Sequence, residues 1–164
     1  MNFFLRINLK ALGATDPEPV PSAKPWRLYA RCDAEDLETC GIFQQLFNLV
    51  GKDQRAAMSA LHKLVHVAAS GQPVTNFYDK KQCHEIHAFH YKGKERIVWR
   101  IWKGDVVRVT FYYGEDRVIL LTHAFAKTED KLTKGQKAML ETEVKAYIDA
   151  VDANSLHFFE KSAK

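Results

Sequence analysis

The sequence predicts an α+β domain, and three features carry that expectation. A period-two segment is followed by two runs of helical apolar spacing, glycine-bearing turns then divide a series of strand-like segments, and a helical repeat closes the chain. Such an order favours helices gathered on one face of an antiparallel sheet, with the other face left open.

Residues 1–25 read as an N-terminal arm and Pro-rich linker. Pro17, Pro19, Pro21 and Pro25 fall between Thr15 and Pro25, where proline can neither feed a ladder nor continue a helix. Ahead of them, Phe3, Phe4, Leu5 and Ile7 suit an extra strand, a partner-binding arm or a cover over part of the core. Residues 26–164 are then the single domain. In its first strand Trp26, Leu28 and Ala30 alternate with Arg27, Tyr29 and Arg31, the pattern of a segment with one wet face. Acidic residues between Asp33 and Glu38 lead into Ile42, Phe43, Leu46, Phe47, Leu49 and Val50, as in a helix whose positive end attracts carboxylates. Gly51 is its stop. A second helix starts at the N-cap Asp53, carries Ala57, Met58, Leu61, Leu64, Val65 and Ala68 at helical spacing and ends at Gly71, completing a helical hairpin.

The turns at Lys92-Gly93-Lys94, Lys103-Gly104-Asp105 and Gly114-Glu115-Asp116 separate strands over 84–91, 96–102, 106–113 and 117–125. Loops of that length make an antiparallel β-meander of about four strands. Ala138, Leu140, Val144, Tyr147, Ile148 and Val151 then mark a C-terminal helix.

With 164 residues, 46% of them hydrophobic, the chain can bury one core without an external staple. Cys32, Cys40 and Cys83 are odd in number and lack C-x-x-C spacing, which suits a reducing compartment and thiols acting as small apolar groups. Arg6 and Lys10 break the apolar opening before a signal core or membrane span could form, so the expected place is the cytoplasm, away from membranes. A net charge of +4 permits contact with nucleic acid or an acidic protein. No G-x-S-x-G, P-loop or dinucleotide fingerprint occurs, so no cofactor is expected.

The chemistry concentrates around Arg100 and Arg108. A three-residue loop between them pairs Trp102 with Val106 and sets the arginines directly opposite; a two-residue loop sets them diagonally or on different faces. Directly opposed like charges are unfavourable, and a polyanion reverses the sign. Thr110 and Tyr112 share the Arg108 face, Tyr113 follows, His123 and Phe125 lie at the neighbouring strand end, and Lys103, Lys127 and Lys131 add positive charge. Guanidinium and ammonium groups hold phosphate while aromatic rings stack on bases, a combination suited to RNA. Cys83, His84, His87 and His90 have the composition of a metal site, but strand alternation puts His84 and His90 on one face and His87 on the other, so no metal is expected. His62 and His66 share a helix face without an H-E-x-x-H motif and read as surface histidines.

Residues Ile97 to Lys127 resemble the sheet of RelE/HigB-type toxins of type II toxin–antitoxin systems, in particular the phage-derived HigB-like branch. Trp99-Arg100-Ile101, Arg108-Val109-Thr110-Phe111 and Val118 through Thr128 carry the likeness. The resemblance implies a RelE-like domain over most of residues 26–150, with Arg100 and Arg108 holding messenger RNA, Lys127 as the basic group ending the last strand, and Tyr112, Tyr113 and His123 in supporting places. It further implies an antitoxin partner and cleavage in the ribosomal decoding site, where the substrate 2′-hydroxyl attacks the adjacent phosphate. Arg100, Arg108 and Lys127 would stabilise charge, and His123 would transfer protons. The chain departs from the family pattern where a double lysine is reduced to Lys127-Thr128 and where TEDKLTKGQ lacks a proline. The alternative is a non-catalytic or ParE-like toxin that acts by protein contact, for example with DNA gyrase.

Overall fold

The computed structural model describes residues 2–103, 107–126 and 131–161, the side chain of Lys103 excepted. The elements in chain order are β1 (Asn2–Arg6), β2 (Arg27–Cys32), α1 (Gly41–Asn48), α2 (Gly51–Ser70), β3 (Cys83–Tyr91), β4 (Lys94–Lys103), β5 (Val107–Tyr113), β6 (Val118–Ala126), α3 (Lys134–Asp152) and β7 (Leu156–Phe159). Local chemistry explains the helix ends. Gly71, at φ 72°, closes α2 in the left-handed conformation that glycine adopts without strain. The Thr133 hydroxyl accepts from the Gln136 N–H while the Gln136 side chain accepts from the Thr133 N–H, a capping box that starts α3.

The α+β class holds, but the RelE-like domain built on an antiparallel meander of about four strands does not. Among the described residues the sheet has seven strands in the order β3-β4-β5-β6-β2-β1-β7. It is mixed: β2 runs parallel to β6 and β7 parallel to β1, whereas the remaining neighbours are antiparallel. The expected arm enters the sheet as β1, between β2 and β7, with Phe4 and Leu5 fully buried. Phe4 packs in one core and Leu5 in the other, so the short apolar run reads as a strand buried on both sides.

A second correction follows from the same cause. Helices cover both sheet faces, and neither is left open along β4–β6. Phe43 and Leu46 of α1 and Leu61 and Leu64 of α2 pack with Ile101, Val109, Phe111 and Leu121. On the opposite side Leu140, Val144, Tyr147 and Ile148 of α3 pack with Phe4, Tyr29, Val98 and Leu120. β6 is buried without a break from Val118 through Phe125, so its apolar residues at both parities need cover on each side.

Candidate functional site

Aromatic residues and cysteines aside, the polar residues buried among the described ones all lie on three adjacent strands: Arg100 on β4, Arg108 and Thr110 on β5, Thr122 and His123 on β6. Burying such groups is costly unless each finds a partner, so their clustering calls for a local cause. Register supplies part of it. Arg100 is opposite Thr110 and Trp102 opposite Arg108, which puts the arginines diagonally on the α3 face. The directly opposed arrangement with Trp102 against Val106 does not form; the hairpin's last described pair is Lys103 with Val107.

Two β-bulges complete the placement. The ladder slips between Glu85 and His87 on β3, and again opposite Thr110 and Phe111, where His123 and Leu121 are the partners and Thr122 is the extra residue. A bulge inverts the alternation beyond it. The first therefore turns His87 onto the α3 face with His84 and leaves His90 on the other, correcting the faces expected from strict alternation. His87 Nε2 lies 2.8 Å from the Glu141 carboxylate on α3. The second bulge brings His123 and Phe125 to the arginine face, while Ala124 joins the core beneath α1 and α2.

Arg100 Nη2 donates to His84 Nε2 at 2.5 Å, and its guanidinium lies 4.5 Å from the Trp102 ring centroid. A guanidinium has donors only, so His84 Nε2 is the acceptor, and its Nδ1–H donates to the Glu85 carbonyl at 2.8 Å. Burial, and after it the like charge of Arg108, lowers the pKa of Arg100. Its Nη1 is buried with no hydrogen-bond partner among the described residues, as is Nδ1 of His123. Burial pulls the His123 pKa down to about 4, which keeps the ring neutral at pH 7. Beside it the Thr110 and Thr122 hydroxyls are 2.7 Å apart, and Thr110 donates to the His123 carbonyl at 3.3 Å.

The other expected site residues are spread around this cluster. Phe125 is opposite Arg108, its ring 4.8 Å from that of His123. Tyr112 is on the same face but points to a separate cleft of about 380 Å³, where its hydroxyl accepts from Arg96 at 3.2 Å and Tyr147 forms another wall. Tyr113 is on the opposite face against Trp26, Trp99 and Phe111, and burial raises its pKa. Lys131 is exposed ahead of α3. The side chain of Lys103 and all of Lys127 lie outside the described residues. Two members were not singled out as site residues from sequence. Trp102 shares parity with Arg100 and was legible in that sense, whereas His84 joins through a cross-strand register that no local pattern encodes.

Among the described residues no group of three or more His, Cys, Asp or Glu side chains is placed to hold a metal ion, and no helix is long and apolar enough to cross a membrane. The cluster offers guanidinium donors for an anion and a neutral imidazole able to accept a proton. Compared with known protein families and with curated proteins, the chain matches none.

Proposed function

We propose that the Arg100–Arg108 cluster binds a phosphate of an RNA strand, and that the chain is the messenger-cleaving toxin of a toxin–antitoxin pair, working on the ribosome. One observation carries this reading. After burial, the charge that most disfavours the Arg100 cation is that of Arg108 on the same face, and a bound anion turns that repulsion into shared attraction. The short motifs around Arg108 and Val118 give secondary support.

In this mechanism the substrate 2′-hydroxyl attacks the neighbouring phosphorus, Arg100 and Arg108 stabilise the phosphorane charge, and the bond to the 5′-oxygen breaks to leave a cyclic phosphate. His123 takes the 2′-hydroxyl proton. Phosphate beside it raises the pKa from about 4 and makes it a better base, and its protonated form returns the proton to the leaving oxygen. Lys127 is a further charge-stabilising group in this proposal, and Lys103, Phe125 and Lys131 would contact the strand. Arg100, Arg108 and His123 are each less than a tenth exposed, so a phosphate must enter the cluster rather than rest on the sheet. An antitoxin would act by closing that entry.

Incubation of the purified protein with RNA, alone and in a translating extract, followed by mapping of RNA ends, tests the proposal. Cyclic phosphate ends are expected, with losses in Arg100→Ala and Arg108→Ala that are not additive in the double variant, because the two groups share one ligand. Each variant should also flatten the salt dependence of RNA binding by about one unit of logarithmic slope. Intact RNA in both settings overturns it, and inhibition of gyrase supercoiling in the same preparation would assign the chain to the protein-binding alternative.

A further inference from the structure

Away from the arginine cluster, two cysteines meet where β2 ends and α1 begins. Cys32 is the last residue of β2 and Cys40 the N-cap of α1, and the two are partners in an isolated antiparallel bridge. The Asp33 N–H donates to the Thr39 carbonyl at 3.2 Å, the bond that flanks a non-hydrogen-bonded pair. Cα atoms in such a pair are about 4.5 Å apart, within the roughly 4.4–6.8 Å span of disulfides. We infer that Cys32 and Cys40 are a redox-active pair that closes reversibly into a disulfide, clipping the end of β2 to the start of α1.

The surroundings divide the roles. The Cys40 pKa is lowered, chiefly by the hydrogen bond from the Cys32 thiol and then, against its burial, by the Phe43 and Ile42 N–H groups at the start of α1. The Cys32 pKa is raised by that same bond and by burial. Cys40, at the positive end of α1 with the Ile42 and Phe43 N–H groups beside its sulfur, is the one that attacks, and Cys32 the thiol that resolves. A hydroperoxide is the oxidant class small enough to reach sulfur buried behind the exposed 33–36 turn. With hydrogen peroxide, Cys40 sulfur attacks one oxygen, the O–O bond breaks, and Cys40 becomes a sulfenic acid as one water leaves. Cys32 sulfur then displaces the sulfenic oxygen as a second water, so the thiols lose two electrons and the peroxide gains them. Cys83 is an internal control, because burial raises its pKa to about 11 and it has no cysteine partner. The clip bears on the other site through α1, whose Gln45 side chain accepts the Ala124 N–H at 2.7 Å, next to His123.

The test uses the folded wild-type chain treated with hydrogen peroxide at neutral pH, then alkylated and mapped by mass spectrometry. The expected product lacks two hydrogens, links the peptides holding Cys32 and Cys40, leaves Cys83 as a thiol and reverts with dithiothreitol. In Cys32→Ser, Cys40 should stop at a sulfenic acid that a dimedone probe traps. Native protein that keeps both thiols, or forms the link only once unfolded, overturns the inference. So does overoxidation of Cys40 while Cys32 remains a thiol, and both outcomes are read on the wild type whether or not the variant folds.

Discussion

On the side that meets α1 and α2, strands β4–β6 present Ile101, Val109, Phe111, Ile119 and Leu121, none more than 2% exposed. On the side that meets α3 the same strands present Arg100, Arg108, Thr110 and His123, almost as deeply buried. α3 is also held by polar contacts: Arg31 to Glu143, His87 to Glu141, and Tyr91 and Lys92 to Asp149. Burial of apolar area stabilises without regard to chemistry, whereas a buried cation costs free energy unless something answers it. One face of this sheet is thus uniformly apolar, and the other buries polar groups, among them Arg100, whose Nη1 has no hydrogen-bond partner among the described residues.

Substitution at matched depth separates the faces. Phe111→Ala, on the apolar side, should cost about 3–5 kcal/mol, a large share of the roughly 5–15 kcal/mol that holds a domain together. Arg100→Met, of similar length on the polar side, removes a buried cation whose Nη1 has no hydrogen-bond partner among the described residues, and should leave stability unchanged or raise it while RNA binding is lost. Denaturant unfolding of both variants checks this. Equal losses would mean that the two faces serve stability alike.

The pH dependence of folding gives a finer contrast. An unfolded histidine titrates near 6.5, and folded His123 only near 4, so between those values the unfolded chain binds a proton that the folded chain refuses. Stability from this group is full above about pH 6.5 and falls by about 3 kcal/mol as the pH drops to 4. Subtracting the profile of His123→Gln from that of the wild type isolates the effect from the titrating carboxylates. A flat difference would mean that the ring is hydrated in the folded protein.

The elements that sequence conveyed well are those whose signal is local. Glycine-bearing turns between apolar-rich segments located β4, β5 and β6, helical spacing located α2 and α3, and Gly71 marked the end of α2 because no other residue takes its backbone angle so readily. What sequence withheld depends on distant partners. The prolines ahead of Trp26 set residues 1–25 apart as an arm whose Phe3, Phe4, Leu5 and Ile7 suit a strand or a cover over the core, but its place between β2 and β7 depends on partners far along the chain. The bulges near Ile86 and at Thr122 invert alternation without any glycine to announce them, so the side on which His87 and His123 lie could not be read from parity. The arginines were legible as a pair, but their burial was not, because it depends on tertiary placement rather than on residue type.

The smallest expected effect concerns how the polar side is fastened. Arg31 on β2 donates to Glu143 on α3 through two nitrogens, at 2.7 and 3.0 Å, with both side chains partly exposed. The paired hydrogen bonds to Glu143 outweigh burial and raise the Arg31 pKa. Bidentate geometry puts such a pair toward the upper end of exposed ion pairs, so a double-mutant cycle on Arg31→Ala and Glu143→Ala should give a coupling of about 0.5–1 kcal/mol. That coupling should shrink between 0.05 and 1 M salt, where the Debye length falls to about 3 Å, while the cost of Phe111→Ala stays nearly unaffected by screening. A coupling near zero would mean that this pair adds nothing to the packing of Leu140 and Tyr147 against Phe4 and Tyr29, leaving the Glu141 and Asp149 contacts as the polar fastenings of α3. The contrast between the faces would then rest on those contacts and on the buried arginine cluster, the part of it that Arg100→Met tests directly.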